Sequence, residues 1–384
     1  MRIVEQHGNY ARATLVHRCS AGPTYREPPC PWIAACGGCP WQHVDYATQL
    51  AAKDLNVRES LKRIAGVTPA RPLPIVAAPG EWGYRHRIRL HTAAGGGLGF
   101  RRTRSHQLVP IEHCLIAEPA LSAVLAPLRA LMAKMTTQVD EIEVTSNGRG
   151  AVVVDAHARG RFREPDGATV REWLRATLGV AGIGIRGREW SRHFGDIRVE
   201  VVSETGTPPA VQRAGTFTQV NPAANLLLVR TVVDLVGASR PVLDLFCGAG
   251  NLSLPLARVA TSVVAVDHDA RGVADGAASA AAAGLTNVRF DVGAADRFLR
   301  RRGLAGADVV VLDPPRIGAA AVAAQLARLK PARIVYVSCE PTTLARDART
   351  LVAAGYIVDR VQPIDLFPQT EHVETVLEAV LTAP

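Results

Sequence analysis

The second half of this chain repeats one unit, and that repetition constrains the fold more than any other feature. From about residue 215, the apolar runs VLDLFCG, SVVAVDHD, NVRFDVG, ADVVVLDPP and RIVYVSC alternate with Ala-rich, helix-like segments. Continuous β-branched runs read as strands buried on both faces, and their alternation with helices predicts a doubly wound, Rossmann-like α/β fold with a parallel sheet. In an open sheet of that kind, ligands bind beyond the carboxyl ends of the strands. Residues that close these runs are therefore the first candidates for chemistry. The final segment, HVETVLEAVL, is expected to add an edge strand.

At 384 residues the chain is too long for one typical core, and two or three domains are expected. Residues 1–29 carry one short apolar stretch, Ala13 to Val16, before Pro-rich turns, too little for a domain. A cysteine-rich knot follows at 30–43, then a helical pattern from Tyr46 to Ile64 with Leu50, Leu55, Leu61 and Ile64 on one stripe. Residues 71–214 mix short alternating runs such as EIEV with Gly-rich breaks and read as a mainly β middle domain. The boundaries expected are 1–29, 30–214 and 215–384, with the last change of texture near Gly215. No run is apolar for long enough to span a bilayer, and the first residues lack the apolar centre of a signal peptide, so a cytoplasmic location is expected.

The formal net charge is +9, which favours a polyanionic partner. Almost all of the basic residues are Arg, a bias that genome composition could equally produce. No obligate protein partner is evident.

DLFCGAGN, residues 244–251, ends a strand and opens a helix, with Gly248 and Gly250 allowing close approach of a ligand to the backbone. Asp267 closes the next strand, where a carboxylate can accept hydrogen bonds from both ribose hydroxyls of an adenosine cofactor. The absence of a full G-x-G-x-x-G argues against a nicotinamide enzyme and leaves room for S-adenosylmethionine; a purely structural glycine turn is the alternative. Asp313, in VVLDPPR, stands at the same edge, either as a site carboxylate or as a helix N-cap, and Arg316 follows. Cys339, in VYVSCEP, comes directly after another strand, where a thiol can act as a nucleophile. An isolated cysteine is more often inert and buried. Glu374 lies 35 residues further on, in a polar stretch before the last apolar run. Cys247 reads as packing in the glycine loop, and Cys19 has no motif around it.

Cys30, Cys36 and Cys39 form C-x5-C-x2-C, and Cys114 follows after a long gap. Four thiolates can hold zinc or an iron-sulfur cluster, and the spacing alone does not choose between them. Disulfides are the alternative. Between the third and fourth cysteines, Arg85, Arg87 and Arg89 alternate, so on a strand they share one face. With Arg101, Arg102, Arg104, Trp82, Tyr84 and Phe100 nearby, that face suits RNA phosphates and unstacked bases, or else is simply solvated.

Taken in order, DLFCGAGN, Asp267, DPPR, SCEP and HVE resemble the motifs of the RNA 5-methyluridine methyltransferases, enzymes that methylate uridine carbon 5 from S-adenosylmethionine. The resemblance runs from Cys30 to the end and includes FTQVN at 217–221. It implies that Gln219, Phe246, Asn251, Asp267 and Asp313 contact the cofactor. Cys339 would be the nucleophile and Glu374 the base. It further implies a 4Fe-4S cluster on Cys30, Cys36, Cys39 and Cys114, 23S rRNA as the substrate, and residues 1–29 as the remnant of a TRAM-like strand, the last of a small β-barrel RNA-binding domain. Many members read S-C-N-P where this chain reads S-C-E-P, and a carboxylate at Glu340 would tend to raise the thiol's pKa. The rival readings are a transfer RNA uridine-C5 or cytosine-C5 methyltransferase and a non-catalytic iron-sulfur RNA-binding protein. Either methyltransferase reading requires the target base to be flipped out of folded RNA.

Overall fold

The computed structural model describes residues 1–8, 10–103, 105–201 and 210–382. Its second half is a sheet of seven strands among the described residues: β1 (Pro241–Leu245), β2 (Ser262–Asp267), β3 (Val288–Val292), β4 (Val309–Leu312), β5 (Arg333–Ser338), β6 (Tyr356–Ile364) and β7 (Glu374–Leu381). Their spatial order is β3-β2-β1-β4-β5-β7-β6, and the two-residue strand Arg71–Pro72 lies parallel to β6 at the edge. The first five are mutually parallel, while β7 runs antiparallel to both neighbours. The sequence of β4, VVVL, is buried throughout, as a strand covered by helices on both faces must be.

Two expectations are corrected here. HVETVLEAVL does not form an edge strand: β7 is inserted between β5 and β6, and Glu374 to Ala379 are buried. Its interior Glu378 is tolerated because Arg333 (3.3 Å) and Arg360 (2.5 Å) neutralise it. The helix after the cysteine knot, Tyr46–Ser60, buries Gln49, Lys53, Val57 and Ser60, whereas Leu55 is 58% exposed. Gln49 and Lys53 occupy the buried stripe because they have partners in residues 365–369. This helix and the π turn that follows it put Val57, Leu61 and Ala65 into the α/β core beside Leu344 and Tyr356. Residues 46–76 thus pack with the second half of the chain rather than with the middle sheet.

The middle sheet has the spatial order Ser191–Gly195, Val180–Arg186, Val152–Arg159, Gln138–Ser146, Arg87–Ala93, Gly97–Arg101, Leu108–Val109. Among the described residues its one parallel strand pair, Val152–Arg159 with Val180–Arg186, is bridged by the helix Asp166–Ala176, the crossover such a pair requires. Ile88 and Leu90 point into its core with Leu125, Leu128, Ile142 and Ile183. The opposite face does not offer the free arginines expected from the alternation. Arg87 pairs with Glu143 at 3.4 Å, and Arg89 with Glu141 and Glu143, both at 3.4 Å, because the neighbouring strand places carboxylates in register. Tyr84 is buried, and Phe100 packs against the core. Arg104 lies outside the described residues. Residues Arg2–Gln6 and Ala11–Thr14 form an exposed antiparallel hairpin. No described helix is long and apolar enough to cross a membrane.

Candidate active site

Strand register brings the candidate residues to one edge. Leu245 of β1 pairs with Leu312 of β4, and Leu312 with Tyr336 of β5, so Phe246, Asp313 and Cys339 all emerge just beyond adjacent strand ends. Leu245 also pairs with Val266, which brings Asp267 to the same edge. Because β7 is antiparallel to β5, its first residue lies where β5 finishes: Ser338 pairs with Thr375, making Cys339 and Glu374 the next residues outward.

The glycine loop turns sharply. Phe246 takes φ +64° and Gly248 φ +54°. Asp267 fixes the loop by accepting the Gly248 N–H at 2.9 Å through Oδ2 and the Asp269 N–H at 2.8 Å through Oδ1. A Cβ built on Gly248 would meet no protein atom within 4 Å, so the loop's backbone faces open space. An adjoining cleft of about 350 Å³ is lined by Phe246, Asp267, His268, Asp296, Ile317 and Arg346. Asn251 forms two hydrogen bonds with Asn225, at 2.8 and 3.0 Å. Gln219 and Asn225 line a separate small cavity with His86 and Glu118, and Asn225 links that cavity to Asn251.

The edge is strongly acidic. Asp244 is fully buried, and burial, opposed by the Ser253 hydroxyl and reinforced by the Asp313 and Asp267 charges, raises it to about 7. Its Oδ1 has no partner. Burial also raises Asp313 to about 7. Glu374 is 3% exposed with Oε2 unpartnered, and burial followed by the charge of Asp313 pushes it well above the usual carboxylate range. Burial, then the charge of Glu374, raises the Cys339 thiol to about 12, while the charge and a hydrogen bond of Arg316 act in the opposite direction. Cys339 and Glu374 thus act on each other, and both feel the charges of Asp313 and Arg316. Glu340 is turned elsewhere: it caps the helix Pro341–Ala353, accepting from Thr342 N at 3.3 Å and Thr342 Oγ1 at 2.7 Å. Cys247 is buried, and its thiol is pushed up mainly by that burial.

Cys30, Cys36, Cys39 and Cys114 line one pocket with Trp32, Phe100 and Ile111. All seven cysteines are free thiols, so the disulfide alternative does not hold. Burial raises Cys36, Cys114 and Cys39, the last to about 12. Arg85 acts on Cys39 and Cys114 and has a buried Nε without a partner. Among the described residues, no three His, Cys, Asp or Glu side chains form a group that could hold a metal ion.

Sequence reasoning missed Asp244 and Asp296. Asp244 opens the same motif as the glycines, and Asp296 lies in the first turn of the helix that follows β3; the first of these positions is readable in the sequence. Phe217, in FTQVN, was also passed over: it is 62% exposed, with the Arg87 guanidinium 5.0 Å from its ring.

The strand order, glycine loop and carboxylate-lined edge define a Rossmann-like methyltransferase domain. The chain as a whole is similar to a crystal structure of Pyrococcus abyssi tRNA (uracil-54, C5)-methyltransferase in complex with S-adenosyl-L-homocysteine, with TM-score 0.76 and 24% identity over 99% of this chain and 92% of that one. The profile of the tRNA (Uracil-5-)-methyltransferase family matches residues 209–380. The 23S rRNA (uracil(1939)-C(5))-methyltransferase RlmD of Salmonella choleraesuis is 35% identical over 98% of this chain and 86% of its own length. That of Pseudomonas putida is 35% identical over 97% of this chain and 84% of its own length. The chain belongs to the RNA uracil-C5 methyltransferase family.

Proposed function

We propose that this protein methylates carbon 5 of a uridine in 23S ribosomal RNA, using S-adenosylmethionine and a transient bond from Cys339 to the pyrimidine ring. The observation that carries the mechanism is the cross-strand adjacency of Cys339 and Glu374 beside an acidic cleft. Carbon 5 of uracil is a weak nucleophile. Addition of the Cys339 thiolate at carbon 6 converts the ring to an enolate that can accept a methyl group. Glu374, whose raised pKa makes it a stronger base, then removes the carbon-5 proton so that the thiol can leave.

Asp244, Asp267, Asp313 and Glu374 outnumber Arg316, the three raised pKa values mark carboxyl groups that a nearby cation would help to ionise, and two of these groups keep an unpartnered buried oxygen. That surplus fits a cationic sulfonium. When bound, S-adenosylmethionine supplies an electrophilic methyl group; Asp267 and Phe246 would hold its adenosine end, with Asp313, Asn251 and Gln219 around the rest. The choice of 23S rRNA follows the relatives that match nearly end to end, and the net charge of +9 suits a polyanion.

The same reading would give Cys30, Cys36, Cys39 and Cys114 a 4Fe-4S cluster, a larger group than the single metal ion for which these side chains are not gathered. Their shared pocket and the positive charge of Arg85, held beside them without a full set of partners, suit an anionic group with thiolate ligands.

The test is incubation of purified protein with S-adenosylmethionine and, in parallel, 23S rRNA and transfer RNA from cells lacking this gene, followed by mass spectrometry of nuclease fragments and nucleosides. New 5-methyluridine at one position is expected. Methyl incorporation only into transfer RNA, or into cytosine, would overturn the assignment.

A further inference from the structure

The segment leading to Glu374 is gripped from outside the sheet by side chains of the N-terminal half. Lys53 Nζ donates to Asp365 Oδ1 at 2.7 Å and to the Phe367 carbonyl at 3.0 Å, and both charged side chains are 0% exposed. Gln49 Oε1 accepts the Gln369 N–H at 2.9 Å, and Gln49 Nε2 donates to Gln369 Oε1 at 3.1 Å. Trp41 N donates to the Gln369 carbonyl at 3.0 Å, and Arg26 Nη2 to Gln369 Oε1 at 2.6 Å. The Tyr84 hydroxyl donates to the Pro368 carbonyl at 2.9 Å.

The held backbone is strained. Gln369 takes φ +71°, a left-handed conformation that is unfavourable for a non-glycine residue and persists only where the surroundings over-determine it. The chain then runs through Thr370, whose hydroxyl accepts the His372 N–H at 3.3 Å, into Glu374. The grip is tied to the cysteine pocket as well: Gln42 accepts the Cys30 N–H at 3.3 Å through its side chain and Arg26 Nε at 3.0 Å through its carbonyl.

A buried Lys53–Asp365 ion pair is an expensive way to fill this interface, since an apolar pair of similar volume would pack there without the desolvation cost. What an apolar pair cannot do is fix one backbone conformation in the opposing loop. We propose that Lys53 and Gln49 are positioning residues for the base: they set the bend at 365–369, hence the place of the Glu374 carboxylate beside Cys339, and so govern the proton removal that frees the product. This rests on the reading of Glu374 as the base.

The experiment uses the full chain and compares Glu374→Gln, Gln49→Leu and the double variant Lys53→Met with Asp365→Leu, which removes both buried charges so that neither is stranded. In single turnover with radiolabelled S-adenosylmethionine and 23S rRNA, methyl transfer and the lifetime of the covalent protein–RNA complex are followed separately. Gln49→Leu and the double variant are expected to methylate within ~3-fold of the parent but to hold the complex ~10-fold longer, a part of the ~10²-fold or larger effect of losing a general base. Faster amide exchange at Phe367 and Gln369, with the sheet unchanged, is the accompanying signature.

If Glu374→Gln prolongs the complex and the other two do not, the positioning role is wrong and the base assignment stands. If Glu374→Gln itself fails to prolong it, the base assignment falls and this inference with it. Equal loss of methyl transfer and complex formation in Gln49→Leu and the double variant would mark a merely structural role and likewise overturn the inference.

Discussion

In the ligand-free protein Cys339 should be an unreactive thiol, and its alkylation rate measures that. Burial and the Glu374 charge move it from 9.0 to about 12. At pH 8 that change leaves ~10³-fold less thiolate than an ordinary cysteine has. The more basic thiolate is also a better nucleophile, and a Brønsted coefficient of about 0.45 returns ~20-fold of the loss. Iodoacetamide should therefore modify Cys339 ~50-fold more slowly than a free cysteine, and the rate should climb about tenfold per pH unit from 7 to 10 without levelling. Peptide mass spectrometry gives the rate at this residue alone. A plateau near pH 8 or 9 would refute the reasoning. Substitution tests the causes: Glu374→Gln should leave the profile unchanged at pH values where Glu374 is protonated and raise the rate above them. Arg316→Gln should slow the reaction throughout, because the charge that favours the thiolate is gone.

Asp244 is raised from 3.8 to about 7, so it favours the folded state below pH 4 and loses that contribution as pH rises through 7. Asp244→Asn should accordingly be more stable than the parent at pH 8, by at most ~4 kcal/mol, and no more stable at pH 4, as read by urea melts at both. Lys53→Met alone strands the Asp365 carboxylate at 0% exposure and should cost ~3–5 kcal/mol, whereas adding Asp365→Leu should restore most of it. Cys36→Ser or Cys39→Ser, purified without oxygen, should lose iron and inorganic sulfide in colorimetric assays; full retention would remove the cluster assignment.

The α/β half was legible because its signals are local. Runs such as VVVL, β-branched, short and set between helix-like segments, read as strands covered on both faces, and Asp267, Asp313 and Cys339 sit at their ends, where register alone gathers them. What could not be read was long-range. The position of β7 inside the sheet depends on an antiparallel insertion that no local pattern announces, and its buried Glu378 looks like a surface residue until Arg333 and Arg360 are seen on either side. The Leu stripe expected of Tyr46–Ser60 failed for a related reason: Gln49 and Lys53 are buried because of partners more than 300 residues away, at |i−j| of 320 and 312. Likewise, Arg87 and Arg89 do alternate as expected, but the carboxylates opposite them come from a strand some 50 residues on, at |i−j| of 56 and 54.

The central claim is a bond between one sulfur and one ring, and trapping it is the most direct measurement. With 5-fluorouridine in the RNA, carbon 5 carries no proton for a base to remove after methylation, so the bonded species should accumulate. Digestion and mass spectrometry should then find the methylated fluorouridine on the peptide that contains Cys339, and Cys339→Ala should yield none. Methylated RNA formed at the normal rate by Cys339→Ala, or an adduct mapped to any other cysteine, would contradict the account.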